Sequence, residues 1–246
     1  MRWVLLAAAV QQIVAPLLIG TPHGNPLADL ATRTPMQPAP WAFAIWGLIY
    51  LGALALGVWQ AFGAGAREPA MARVRLPLSG LCLGSTMWLA AAASNAKWLT
   101  APILWAMLVL ALVAMTRLAR PAVPLSRATK LIAGWPTALY AGWVTTAAFV
   151  NSAIIGPEYG LGTAGLGTER LAVLLTALAA ALAIVITLRS RGALAYVLAV
   201  VWALTGIIFT NTRGSLDVMF TAMGAAVLLL GVLLALRRGR GRGRAA

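Results

Sequence analysis

Residues 131–155 read LIAGWPTALYAGWVTTAAFVNSAII, 25 consecutive residues without a charged side chain. A helix rises 1.5 Å per residue, so about 20 such residues cross the ~30 Å hydrocarbon layer of a bilayer. Seven more runs of this kind surround it, at about Trp3–Ile19, Trp41–Phe62, Leu76–Asn95, Ala101–Met115, Arg170–Leu188, Leu194–Asn211 and Leu216–Leu236. In lipid the backbone polar groups must bond within their own segment, so the runs should be helices. A β-barrel would show short alternating segments, and the sequence has none. The expected fold class is all-α, a polytopic integral membrane bundle of about eight transmembrane helices.

Composition agrees. Of 246 residues 61% are hydrophobic and 10% charged, with a mean hydropathy of +0.88. A soluble domain carries roughly 25% charged residues; here there are too few to coat a globule. The net charge of +14 resembles a nucleic-acid signal, but its placement points to topology instead, and no nucleic-acid partner is expected. With the N-terminus inside, the inner connections hold Arg2, Arg67, Arg73, Arg75, Arg117, Arg120, Arg127, Lys130, Arg189, Arg191, Arg237, Arg238, Arg240, Arg242 and Arg244. The outer ones hold Arg33, Lys97, Arg170 and Arg213. A split of 15 to 4 that alternates with the helices is an orientation signal. It places both termini in the cytoplasm. Met1-Arg2 before an apolar stretch resembles the start of a signal peptide, but Gln11, Gln12 and Pro16 interrupt it and no small-residue cleavage site precedes His23. The first helix is therefore expected to be retained.

Several features are excluded as sites. Cys82 is the sole cysteine and His23 the sole histidine, so neither a disulfide within the chain nor a metal site of the usual three or four ligands is expected. Gly160-Leu-Gly162-Thr-Ala-Gly165 matches a dinucleotide fingerprint, but an outer loop precedes it and a membrane helix follows, where that chemistry requires a strand–turn–helix unit. It reads as a glycine-rich loop, with Thr168 capping the next helix and Glu169 at its positive end. The Arg-Gly tail from Arg237 reads as a disordered anchor on anionic lipid. The loop Gly20–Pro40, with Pro22, Pro26, Pro35, Pro38 and Pro40, should be extended and stiff.

The carboxylates Asp29, Glu68, Glu158, Glu169 and Asp217 all fall in loops or at helix ends. Charge-coupled pumping, which places ionisable groups at membrane depth, is thereby disfavoured. The interior offers rings and amides instead. At 100° per residue Phe43, Trp46 and Tyr50 share about a 60° arc, with Ala53 and Gly57 alongside. Trp88 and Asn95 share a face with Gly84, Ala91 and Ala92. Tyr140, Trp143, Ala147 and Asn151 lie within about an 80° arc. Such stripes pack membrane helices closely. They also form a wall suited to a flat apolar ligand with polar edges, in the outer half of the bundle and lidded by the proline-rich loop.

At these residues the sequence resembles the tryptophan-rich sensory protein (TspO/MBR, translocator-protein) family. Pro40-Trp-Ala-Phe43-Ala-Ile-Trp46-Gly-Leu-Ile-Tyr50 is similar to that family's approach to its second helix. Asn95-Ala-Lys-Trp98 matches the end of its third, and Tyr140-Ala-Gly-Trp143-Val-Thr-Thr with Asn151 matches its fifth. The sequence departs from the pattern in that Pro136 lies four residues before Tyr140 rather than next to it, and the aromatic pair after Trp98 is absent. The resemblance implies a five-helix core over 1–155, three added helices over 156–236 and a basic tail over 237–246, in the manner of a longer bacterial branch of the inner membrane. It implies a receptor or carrier for a porphyrin- or sterol-like molecule, with light-driven porphyrin breakdown also credited to members. Phe43, Trp46, Tyr50, Trp88, Asn95, Trp98, Tyr140, Trp143, Ala147 and Asn151 are the expected ligand-binding residues. No cofactor and no catalytic residue are expected, the partners being the lipid bilayer, the hydrophobic ligand and, through small-residue faces, a second copy. The rival readings are a secondary transporter or exporter and a membrane enzyme acting on an isoprenoid or pigment. Ion-driven uptake would favour the first, and product formation by purified protein the second.

Overall fold

The structure, a computed structural model, describes residues 2–19, 34–119, 124–160 and 162–242. Eight long helices run through these residues: α1 (Arg2–Ile19), α2 (Ile45–Phe62), α3 (Pro69–Ala92), α4 (Thr100–Ala119), α5 (Arg127–Glu158), α6 (Gly167–Arg189), α7 (Leu194–Thr210) and α8 (Leu216–Arg242). No strand occurs among the described residues. A 3₁₀ turn, Pro40–Ala44, leads into α2, and a π-helical turn, Lys130–Gly134, interrupts the start of α5 just before Pro136.

Seven of the eight are long and apolar enough to cross a membrane by themselves. The eighth, α3, has the length, at 24 residues, but a lower hydropathy. Arg73 and Arg75 occupy its first turns, and Ser79, Ser85 and Thr86 its interior. It lies between α1 and α4 with twelve of its residues buried. A helix walled by protein on both sides needs less apolar surface than one facing lipid.

Five helices close a ring in which α1 touches α2 and α3, α3 touches α4, α4 touches α5, and α5 returns to α2. The helices α6, α7 and α8 pack on one another and dock on α5 through α7 and α6. So α5 is the hub: 83% of its membrane window is buried, against 28% for α1 and α8. The hub explains its composition. Gly142 lies against α7, where an added Cβ would clash with the Tyr196 carbonyl and sit 2.9 Å from Ala199 Cβ. Tyr196 Oη donates to Thr145 Oγ1 across the same seam (3.0 Å). Thr145 in turn donates to the Ala141 carbonyl, so no polar hydrogen on that hydroxyl is left in hydrocarbon. On the rim of the bundle, α1 buries one face, Leu5, Ala8, Ala9, Gln12 and Ala15, and leaves Trp3, Val10, Leu17 and Leu18 exposed.

Two local expectations change. The cap of α6 is not Thr168: Leu166 occupies the cap position, Gly167 begins the helix, and Thr163 Oγ1 accepts from the Gly167 amide (3.1 Å). The glycines do form a loop, with positive φ at Gly160, Gly162, Gly165 and Gly167. Helix α8 continues to Arg242, into the stretch expected to be a disordered tail; 243–246 lie outside the described residues. So do 20–33, and with them His23, Asp29, Arg33 and most of the expected proline-rich lid.

Candidate functional site

The aromatic stripes of α2, α3 and α5 meet inside the five-helix ring. Trp46 is the centre of the cluster. Its indole stands edge-on to Tyr140 (5.9 Å between ring centroids) and Trp143 (5.9 Å), stacks on Trp88 (6.4 Å) and tilts against Tyr50 (5.4 Å). Phe43 meets Trp143 edge-on at 5.7 Å. These are the separations and angles aromatic pairs prefer.

Beside this cluster is a cavity lined by Gln37, Pro38, Phe43, Trp46, Trp88, Leu104, Trp143, Thr146, Ala147, Val150, Asn151, Ile154 and Ala203. None of the lining residues is ionisable. Its volume is about 40 Å³, room for about three waters. A guest of several rings therefore requires part of the wall to yield.

The wall is unusual in its polar atoms. Gln37 Oε1, Trp88 Nε1, Trp143 Nε1, Thr146 Oγ1 and Asn151 Oδ1 are buried with no hydrogen-bond partner in the protein. Nine side-chain atoms among the described residues have that property, and five of them belong to this one lining. Trp143, Thr146 and Asn151 are at most 3% exposed. Burying a polar atom unpaired costs free energy, so native proteins keep few, and their concentration at one cavity calls for a cause.

Six expected residues line the cavity: Phe43, Trp46, Trp88, Trp143, Ala147 and Asn151. Tyr50 and Tyr140 stand behind Trp46. Tyr50 Oη pairs with Ser85 Oγ (2.8 Å), and Tyr140 Oη donates long bonds to the Leu81 carbonyl (3.4 Å) and Gln12 Oε1 (3.5 Å). Asn95 and Trp98 are elsewhere. The helix stops at Ala92; Asn95 is exposed in the following turn, and Trp98 is 52% exposed in the next. The second amide of the wall is Gln37. Gln37 and Pro38 belong to the end of the loop expected to lid the site, while Leu104, Thr146, Val150, Ile154 and Ala203 join the lining beyond the expected residues. On α5 the missed residues were legible, since 143, 146, 147, 150, 151 and 154 follow a three-and-four spacing on one face.

Gln37 and Pro38 reach the cavity because the segment before α2 is strapped to α7. The Ala39 amide donates to the Gly206 carbonyl (3.1 Å), Trp202 Nε1 to the Ala42 carbonyl (2.8 Å) and Asn211 Nδ2 to the Pro35 carbonyl (2.7 Å). Gly206 makes the approach possible: a Cβ there would lie 2.8 Å from Ala42 Cβ and 3.0 Å from Pro38 Cβ. Trp41 closes the outer seam edge-on to Trp202 (5.0 Å). With Ala203 in the lining, the C-terminal helices contribute both a wall and the fastening of another.

The molecule is thus an integral membrane protein, a polytopic helical bundle around an uncharged, indole-walled cavity. The chain belongs to the TSPO-like protein family, whose sequence profile matches residues 2–235 and so includes the three C-terminal helices as well as the five-helix ring. No curated protein and no solved structure matches it.

Proposed function

We propose that this protein is a membrane receptor or carrier for a flat hydrophobic molecule, of porphyrin-like or sterol-like size and shape, held between Trp46, Trp88 and Trp143 in the outer half of the bundle. The observation that carries the reading is the gathering of five unpaired buried polar atoms on the lining of one aromatic-walled cavity. Rings supply dispersion and stacking over a planar face, and a few polar groups orient it. A guest that pairs with those atoms recovers the free energy their burial costs. Because the cavity is small, binding displaces a wall, and the strap over residues 34–44 is the wall held to the rest by only a few hydrogen bonds.

The 15-to-4 distribution of basic residues supports an orientation with both termini in the cytoplasm, and membership of the family supports the inner membrane of a bacterium as its place. Exposed small residues on the lipid-facing helices are compatible with a homodimer.

Titrating purified protein with protoporphyrin and following tryptophan fluorescence tests the reading. Wild-type protein should show saturable quenching, and Trp46→Ala and Trp143→Ala should each weaken it at least tenfold. Trp46→Phe and Trp143→Phe, which keep a ring, guard against misfolding. Saturable quenching unchanged in all four variants would remove the site from this cavity.

A further inference from the structure

A second and larger cavity, of about 390 Å³, opens at the other end of α5. Its size falls in the ~300–1,000 Å³ range of small-molecule pockets. Gly134 on its wall and Ala147 in the aromatic cavity are 13 residues apart on α5, roughly 20 Å along the axis. Met115 and Leu118 at the end of α4, Leu125 in the connection to α5, Ala138 and Ala193 make its walls apolar. Leu118 and Ala138 are buried, whereas Lys130, the only charged residue of the lining, is exposed at the rim. Ser190, also in the lining, is satisfied within the chain: its Oγ donates to the Thr187 carbonyl (3.2 Å) and accepts from the Ala193 amide (3.3 Å). The segments around the cavity, 124–130 and 189–193, carry Arg127, Lys130, Arg189 and Arg191 and no aspartate or glutamate.

Two features of α5 point to an occupant. Gly134 has φ −65° and ψ −47°, ordinary helix that any residue adopts. Among the described residues an added Cβ would meet nothing nearer than the Thr129 carbonyl oxygen, at 3.9 Å. Neither the backbone nor packing among these residues requires glycine, which weakens a helix interior relative to alanine. What the absent side chain leaves is room on the cavity wall. The second feature is the π-helical turn Lys130–Gly134, whose first and last residues both line the cavity. Such turns concentrate at functional sites. An apolar chamber with a cation at its rim suits an amphipathic anion. A neutral lipid would leave Lys130 without a counter-ion, and a free phosphate would leave the apolar walls empty. We propose that this cavity holds an acyl chain of an anionic glycerophospholipid, with the lipid phosphate at Lys130 and Arg127. On the orientation that the basic residues support, this end of the bundle meets the cytoplasmic leaflet, whose anionic lipids attract cations beside the membrane. Because Ser190 is already satisfied, the headgroup contact is charge with charge. The site therefore selects anionic over zwitterionic lipid without choosing among anionic headgroups, and it does so independently of any guest in the aromatic cavity.

The test titrates delipidated full-length protein in detergent with phosphatidylglycerol, with phosphatidylcholine of the same chains and with glycerol phosphate, counting bound molecules by native mass spectrometry. Wild-type protein should take up its first phosphatidylglycerol at least tenfold more tightly than phosphatidylcholine, and should hold no glycerol phosphate. Arg127→Gln with Lys130→Gln should bring the two lipids to within about threefold, each cation near an anionic surface being worth about fivefold. Arg67→Gln with Arg73→Gln, which removes two charges from the same end of the bundle, should change the first binding step less than twofold. Gly134→Leu fills the chamber and should weaken phosphatidylglycerol at least tenfold. Gly134→Ala, a smaller intrusion that favours the helix, guards against misfolding and should weaken it less. Equal affinity of wild type for the two lipids would overturn the proposal. So would an equal loss in the two double variants, the mark of diffuse attraction to a basic surface, or an unchanged affinity in both Gly134 variants. Tight binding of glycerol phosphate would overturn it in favour of a site for a free anion.

Discussion

Replacing Asn151 by leucine should make the unliganded protein more stable and the liganded one less so. The side chain is 3% exposed and its Oδ1 has no donor within the protein. An unsatisfied buried acceptor costs about 1–3 kcal/mol in soluble proteins. The figure is smaller in membranes, where measured interhelical hydrogen bonds average ~0.6 kcal/mol because the unfolded state also finds partners. Leucine keeps the branched outline, removes the unpaired carbonyl and sets methyl groups against Val150 and Ile154, which share the lining. A gain of about 1 kcal/mol follows, equivalent to roughly 2–4 °C in Tm for a chain of this size. The assay is thermal unfolding in detergent without ligand, by intrinsic fluorescence and by loss of the monodisperse elution peak, next to ligand affinity in the same preparation. A residue kept for binding at the expense of stability shows a higher Tm with weaker binding. A fall in Tm with Asn151→Leu would mean that the amide is a packing element, and the reasoning from unpaired atoms would fail with it.

Other substitutions separate the site from its supports. Gly206→Leu should force the strap off α7, since even a Cβ lies 2.8 Å from Ala42 Cβ; the expected cost is about 1–3 kcal/mol, with faster ligand association in stopped-flow quenching. Trp202→Phe removes the 2.8 Å bond to the Ala42 carbonyl and should cost about 0.5–1.5 kcal/mol, read by thermal unfolding. Tyr50→Phe breaks the pair with Ser85 and should lower stability by about 0.5–1 kcal/mol while leaving ligand affinity within twofold. Asn95→Ala and Trp98→Ala should leave both stability and binding unchanged, because neither side chain reaches the cavity; a tenfold loss of affinity in either would relocate the site.

The helices and the central aromatic face were legible in the sequence because both depend on local spacing. Phe43, Trp46 and Tyr50, or Trp143, Ala147 and Asn151, share a face whatever else the chain does, so periodicity alone finds them. Asn95 misled because periodicity assumes that the helix continues. Ser94 ends it: its Oγ donates to the Ala91 carbonyl (2.9 Å) and accepts from the Ala96 amide (3.1 Å), a local alternative to the helical ladder. The seating of Gln37 and Pro38 in one lining with Ala203 was illegible for a different cause. They meet only because Gly206 admits the strap, a contact more than 160 residues distant in sequence that no local pattern encodes. Helix α3 was legible as the run from Leu76 even though its arginines and serines depress its hydropathy; α1 and α4 pack against it.

The most direct measurement is a structure of the protein in lipid with a planar guest bound. The guest should lie with its face against the Trp46 and Trp143 indoles and a polar edge within hydrogen-bond distance of Asn151, the strap displaced from its seat on Gly206. A guest found instead on the lipid-facing surface, with the indole cluster closed and the five polar atoms still unpaired, would contradict the account.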